Sequence, residues 1–325
     1  MAKHVWRLCP MYRFRLPLVS AVCGFAITIL AGCSANGNSA VFPATVQNSA
    51  RALAASSTGS VFVSSQPFSG DAAIFAYPTT GNDPPPIEQI TDGLTTPGGL
   101  DTDKAGNLFA ANSSGGPNGA DGFVAVYPPS STDPATTLTI GVGGCNNVLV
   151  GPDGRLYVAE SDGVVEFARG SSVPDRAIYT GHDTTATGLA LDAASNLYVA
   201  FDTSTGGDIE EVGPGQEDGR KLHLVLRHPV GVAIDSFGNI LVSDSSLGRS
   251  AIEVFPPGQR KPATKIRQKL VLPQYVRFAQ NKHRLYVADA DAHAVFEYTY
   301  PAGKLVRTIS SELVRAYGVA VAGGM

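Results

Sequence analysis

Charge, disulfide chemistry and catalytic signatures are all scarce in this chain. Only 16% of its 325 residues are charged, against 43% hydrophobic, so global disorder driven by self-repulsion is excluded. There are four cysteines, three of them before residue 34, which leaves Cys145 alone in the remainder and rules out an internal disulfide framework. Cys145 opens an apolar run in GVGGCNNVLV and reads as a small buried residue. No C-x-x-C, H-E-x-x-H, Walker loop or G-x-S-x-G occurs. Gly141-Val-Gly143-Gly144 leads into a strand rather than a helix, which excludes a phosphate cradle. Past the N-terminal segment, the histidines (His182, His223, His228, His283 and His293) form no tight metal-ligand pair in sequence. What is abundant is Gly (36) and Pro (22), set between short apolar runs. That punctuation excludes long helices and points to an all-β chain.

The first 32 residues read as an address. Lys3, Arg7, Arg13 and Arg15 precede the apolar or small segment LPLVSAVCGFAITILAG at 16–32, as in a secretory signal, and Met11 offers a second start. The ending Leu30-Ala31-Gly32-Cys33 resembles the lipobox of bacterial lipoproteins. That resemblance implies cleavage before Cys33 and a diacylglycerol on its sulfur, reinforced by acylation of the new amino group, which together anchor a protein firmly. Ser34 rather than Asp follows, a pattern similar to outer-membrane sorting in cells with two membranes. Residues 33–57, rich in Ser, Ala and Asn, read as a flexible tether. Residues 58–325 are left as the folded domain.

That domain is a repeat. Apolar runs begin at Val61, Leu108, Leu156, Leu197, Ile240 and Leu285, spaced 41–48 residues apart. Such a period marks a radial or solenoid array. Each unit reads as four strands. First strands lie at 98–103, 147–153, 188–193, 231–236 and 275–280, and fourth strands at 138–140, 177–179, 222–226, 265–268 and 305–309. The first unit lacks a first strand, and 317–322 is a first strand without a second. The C-terminus therefore completes blade one and closes a six-bladed β-propeller of four-stranded antiparallel blades, which removes open edges. GVAIDSFGNILVSD (231–244), GPDGRLYVAESDGVVEF (151–167) and RLYVADADAHAVFEY (284–298) resemble NHL-repeat and TolB-like propellers. The resemblance implies a six-bladed ring but no single function, since such rings host binding modules, scaffolds, lactonases and lyases.

Asp101, Asp153, Asp192 and Asp235 follow first strands, ahead of a Gly or Asn, and are expected to hold the amides of their own turns. Asp101-Thr-Asp103-Lys-Ala-Gly106 is similar to the start of a calcium loop but lacks its later ligands. A second set, Asn112, Glu160, Asp202, Asp244 and Asp289, ends the second strands. In a ring these ends share a face with Asn146, Asn147, Thr187, His228 and Gln274 at the entries to first strands. Two roles fit: each side chain caps its own loop, or the set lines a channel mouth and takes a polar ligand or a divalent cation as its cofactor. GPDGRLYVAE looks like a streptogramin-lyase repeat, although those rings have seven blades. Gluconolactonase-type propellers hold a metal with Glu, Asn and Asp, types present here as Glu160, Asn112 and Asp244. Neither family's local motif occurs, so no catalytic residue carries over.

Charge is unevenly divided. Residues 33–214 hold 5 basic and 19 acidic side chains, and residues 215–325 hold 15 and 9. Nine basic residues (Arg249, Arg260, Lys261, Lys265, Arg267, Lys269, Arg277, Lys282, Arg284) stand against Glu253 alone. A sector of this kind either is a solvated edge or faces an acidic envelope protein, a polysaccharide or anionic lipid. Nucleic acid is not expected, because stacking aromatics are not clustered there. The reading is a monomeric, envelope-anchored lipoprotein whose propeller binds or scaffolds rather than catalyses. The alternatives are a metal-dependent lactonase or lyase and a TolB-like assembly factor.

Overall fold

The computed structural model describes residues 59–68, 70–116, 122–139, 143–179, 184–203 and 206–323. The expected signal, lipidated Cys33 and tether lie outside the described residues. Those described form six four-stranded antiparallel sheets and no helix. Blade one combines β1 (Ser60–Ser65), β2 (Ala73–Pro78) and β3 (Glu88–Ile90) with β24 (Ala316–Ala322). Blade two is β4 (Pro97–Thr102), β5 (Leu108–Asn112), β6 (Phe123–Tyr127) and β7 (Thr136–Thr139). Blade three is β8 (Asn147–Val150), β9 (Leu156–Ala159), β10 (Gly163–Phe167) and β11 (Arg176–Tyr179). Blade four is β12 (Thr185–Leu191), β13 (Leu197–Thr203), β14 (Gly206–Val212) and β15 (Arg220–Lys221). Blade five is β16 (Pro229–Ile234), β17 (Ile240–Asp244), β18 (Ala251–Phe255) and β19 (Thr264–Ile266). Blade six is β20 (Pro273–Phe278), β21 (Arg284–Asp289), β22 (Ala294–Thr299) and β23 (Leu305–Ile309).

The ring closes as the unmatched strands require: β24 pairs antiparallel with β1, Val61 opposite Val321 and Val63 opposite Val319. Second strands such as LFAAN are buried at every position because a neighbouring blade covers each face. The core is correspondingly divided into six clusters, each shared by two adjacent blades, with one joining blades six and one.

First strands run nearest the axis, where backbones crowd. Five of the six bulge just after they begin, for example between Pro97 and Leu100 and between Pro229 and Val232. At the bulge, blades one, two, four and five carry Gly318, Gly99, Gly188 and Gly231. A Cβ on Gly188 would lie 2.5 Å from the Val230 carbonyl oxygen of the next blade. Glycine is therefore needed there for close approach.

The inner turns follow one design. Asp192 accepts the amides of Ala194 (2.8 Å) and Asn196 (2.8 Å) and the Asn196 side-chain amide (2.8 Å). Asp235 does the same with Phe237 and Asn239, and Asp153 holds the Arg155 amide. In blade two the expectation needs correction: Asp103, not Asp101, holds the turn, through Ala105 and Asn107. Asp101 lies inside β4 and accepts the Val150 amide of blade three at 2.8 Å. A second correction concerns blade four, where the outer strand is 220–221 instead of 222–226. The Asp208 carboxylate takes the amides of His223 and Leu224, each at 2.8 Å, and draws the chain off the ladder.

Candidate functional site

The second-strand ends do share one face of the ring, and most of them are occupied by their own loops. Asn112 accepts the Thr95 amide at 2.9 Å. Asp244 accepts the amides of Arg227 and His228, each at 3.2 Å, and the Ser246 hydroxyl at 2.7 Å. Asp289 accepts the amides of Val271 (2.8 Å), Leu272 (2.9 Å) and Ala292 (3.0 Å). In each case amides come from the segment that enters the same blade's first strand, and Ala292, in the loop after β21, adds one more to Asp289. Ser65 does this in blade one for Val314. These side chains are structural caps.

Blades three and four depart from the pattern. Glu160 is buried, yet its Oε2 has no hydrogen-bond partner among the described residues. Burial, with Asp162 adding repulsion, pushes its carboxyl up to about 7. Asp202 accepts the Thr203 amide at 3.0 Å and turns its other oxygen to His228 Nδ1, 3.5 Å away on blade five. Glu160, Asp202 and His228 are thus the candidates left after capping. Asn146 donates its side-chain amide to the Ala186 carbonyl, Thr187 its hydroxyl to Ala200 and Pro229, and Gln274 its amide to Leu272. Among the described residues, no group of three His, Cys, Asp or Glu side chains gathers closely enough to hold a metal ion. Cys145 is fully buried at the entry to blade three, and burial pushes its thiol up to about 12.

The channel that these ends were expected to rim is bridged by side chains. At the bulge position where four blades have Gly, blade six has Tyr275 and blade three, opposite it, has Asn147. The Tyr275 hydroxyl crosses the axis and donates to the Asn146 carbonyl at 2.7 Å. Two residues on, the Arg277 guanidinium donates to the carbonyls of Val148 (3.1 Å) and Leu189 (3.3 Å). It also faces Asp101, whose carboxyl is raised by burial while Arg277 pulls it back. No composition signal identifies this strut. The signal is the exchange of Gly for Asn147 and Tyr275 in aligned first strands.

Buried glutamates on the third strands form another repeated feature that motif reading passes over. Glu166 meets Arg155 at 2.5 Å and the Arg176 guanidinium, Glu253 meets Lys265, and Glu297 meets Arg307 at 2.8 Å. The shared register (Glu166 opposite Arg176, Glu253 opposite Lys265, Glu297 opposite Arg307) places an outer-strand cation beside each. A cavity of about 330 Å³ lies beside the first of these, lined by Arg155, Tyr157, Glu166, Asp175 and Arg176 among others. Its turns belong to the face opposite the second-strand ends.

The nine basic residues sort into two groups. Arg277 lies in the axis, Lys282 donates to the Ile234 carbonyl, and Arg284 pairs with Glu297. The others are exposed: the five singled out (Arg260, Lys261, Lys265, Arg267 and Lys269) on β19 and the loops that frame it, and Arg249 in the turn between β17 and β18. Among the described residues, only Lys265 of these five meets a carboxylate.

No protein-family model matches the chain, and no curated protein matches it. Solved structures do resemble it. A chain of a nidogen/laminin complex is 16% identical, with a TM-score of 0.60 over 81% of this chain and 98% of that one. A protein of unknown function from Bacteroides caccae is 14% identical, with a TM-score of 0.60 over 82% and 99%. The hydrazine synthase of Kuenenia stuttgartiensis is 12% identical, with a TM-score of 0.54 over 76% and 83%. At these identities the likeness is one of fold, and the fold is a closed six-bladed β-propeller.

Proposed function

We propose that this chain is a non-catalytic binding or scaffolding module of the cell envelope, carried by a lipid on Cys33, with an NHL-like ring. It engages an acidic partner through the outer edge of blade five. The observation that carries the reading is the contrast between two sets of charges. Two of the acids on the axial face, Asp244 and Asp289, serve as loop caps, whereas Arg260, Lys261, Arg267 and Lys269 stand exposed without a carboxylate partner among the described residues. Cations with no carboxylate partner on a rigid sheet edge give up no internal ion pair when a partner arrives, and they speed encounter with an anionic surface. A ring of similar fold in a nidogen/laminin complex agrees with a docking role. Pull-down from envelope extract tests the reading: Lys261→Glu, Arg267→Glu and Lys269→Glu together should weaken capture by tenfold or more, and unchanged capture refutes it. Labelled palmitate should attach to the wild-type chain and not to Cys33→Ala.

A second reading rests on Glu160 Oε2, Asp202 Oδ2 and His228 Nδ1, which hold no loop amide among the described residues. They form a site for a small polar ligand at the tops of blades three to five. Ligand screening by thermal shift tests it, since Asp202→Ala should abolish any shift.

A further inference from the structure

Three aliphatic side chains stand exposed around the same basic edge: Val225 at 58%, Leu247 at 80% and Val271 at 45%. Hydrogen bonds hold them in place beside the cations. The Val225 amide donates to the Arg260 carbonyl at 2.9 Å. The Ser250 hydroxyl donates to the Val271 carbonyl at 2.7 Å, tying the turn that carries Leu247 to the segment that enters blade six. The Arg267 guanidinium donates to the Arg249 carbonyl at 3.2 Å across the same corner. Gly248, at φ +71°, makes the tight turn that leaves Leu247 at its tip. From residue 245 to residue 288 the sole acid is Glu253, which is buried and paired with Lys265.

We propose that this corner of blade five docks on an anionic phospholipid surface. The inference rests on the proposed docking role of the basic edge and names the partner of that edge. An anionic bilayer supplies both chemistries at once. Its phosphates take up Arg249, Arg267 and Lys269, and its headgroup–acyl boundary accepts Leu247 and Val271, which would otherwise stay in water. A polysaccharide would satisfy the cations but offers no acyl boundary to the Leu247 tip, which is 80% exposed, and an acidic protein would need an apolar pocket placed beside its carboxylates.

The test uses the chain from Ser34 onward, which lacks Cys33. It retains every described contact, because the ring closes on itself through β1 and β24. Co-sedimentation is measured with phosphatidylcholine vesicles, with and without phosphatidylglycerol. Binding should require phosphatidylglycerol and weaken with salt. Each neutralised cation should lower partitioning about fivefold, from roughly 1 kcal/mol per Lys or Arg. Arg267→Gln with Lys269→Gln should therefore lower it more than tenfold, and Leu247→Ser severalfold without changing the salt slope. Near-wild-type melting of each variant shows that folding is kept. Equal binding to both vesicle types, or none at low salt, overturns the membrane proposal. If vesicles are not bound while a single acidic envelope protein is captured and lost on charge reversal, the edge is a protein-docking surface. If neither is bound, the proposed docking role fails as well.

Discussion

Replacing Glu160 with Gln should flatten the pH dependence of stability. In the folded ring the Glu160 carboxyl is pushed up to about 7, from an ordinary 4.5, by burial and by Asp162. The unfolded chain releases this proton near 4.5 and the folded chain only near 7. Between those values the folded state holds the extra proton, so stability falls as pH rises through the window. The shift corresponds to about 3 kcal/mol, fully lost by about pH 8. The cause is visible: Oε2 is buried with no hydrogen-bond partner among the described residues, where Asp244 and Asp289 receive loop amides. Glu160→Gln has the same size and no charge to desolvate. Urea unfolding of both proteins at several values from pH 5 to pH 8 checks this. The wild-type stability should drop more than that of the variant, and the gap should follow a single titration near 7. Parallel curves would refute the reasoning, as would a wild-type protein that gains stability relative to the variant as pH rises.

Other consequences can be checked alongside. Arg277→Met removes the bridge to Val148 and Leu189 and leaves Asp101 without its cation, so urea unfolding should show a loss of about 2 kcal/mol or more, larger at pH 8 than at pH 5. Gly188→Ala puts a methyl group 2.5 Å from the Val230 carbonyl oxygen, a backbone atom that cannot step aside, and should cost about 1–3 kcal/mol in the same assay. In a chain from Ser34 onward, where Cys145 is the single cysteine, iodoacetamide at pH 8 should label the denatured protein and leave the folded one unlabelled.

The architecture was legible because it depends on pattern. Runs such as LFAAN and ILVSD can be apolar on both faces up to their polar ends only if both faces are covered, and the surplus strand at 317–322 matches the missing one before Val61. The turn aspartates are legible as a type, although the pattern points to Asp101 and Asp103 holds the turn. Two acids two residues apart in a strand-to-turn transition differ only in which one leaves the ladder. The outer strand of blade four was misplaced because Asp208, a distant carboxylate, competes for the amides of His223 and Leu224. The candidate site was half legible. Its residues do end second strands on one face, but capping depends on which amides lie within reach, and that is a tertiary fact. The strut of Tyr275 and Arg277 was hidden for the same reason, since Arg277 reads in sequence as one more member of a basic run.

The central claim is that partners meet this ring at the basic edge of blade five and not at the axial acids. One side-by-side measurement tests it: binding of phosphatidylglycerol vesicles and of envelope-extract proteins by two variants. The edge variant carries Lys261→Glu, Arg267→Glu and Lys269→Glu, and the axial variant carries Asp202→Ala and His228→Ala. The account predicts that the edge variant loses binding by tenfold or more while the axial variant binds as wild type. Retention by the edge variant with loss by the axial one would contradict it.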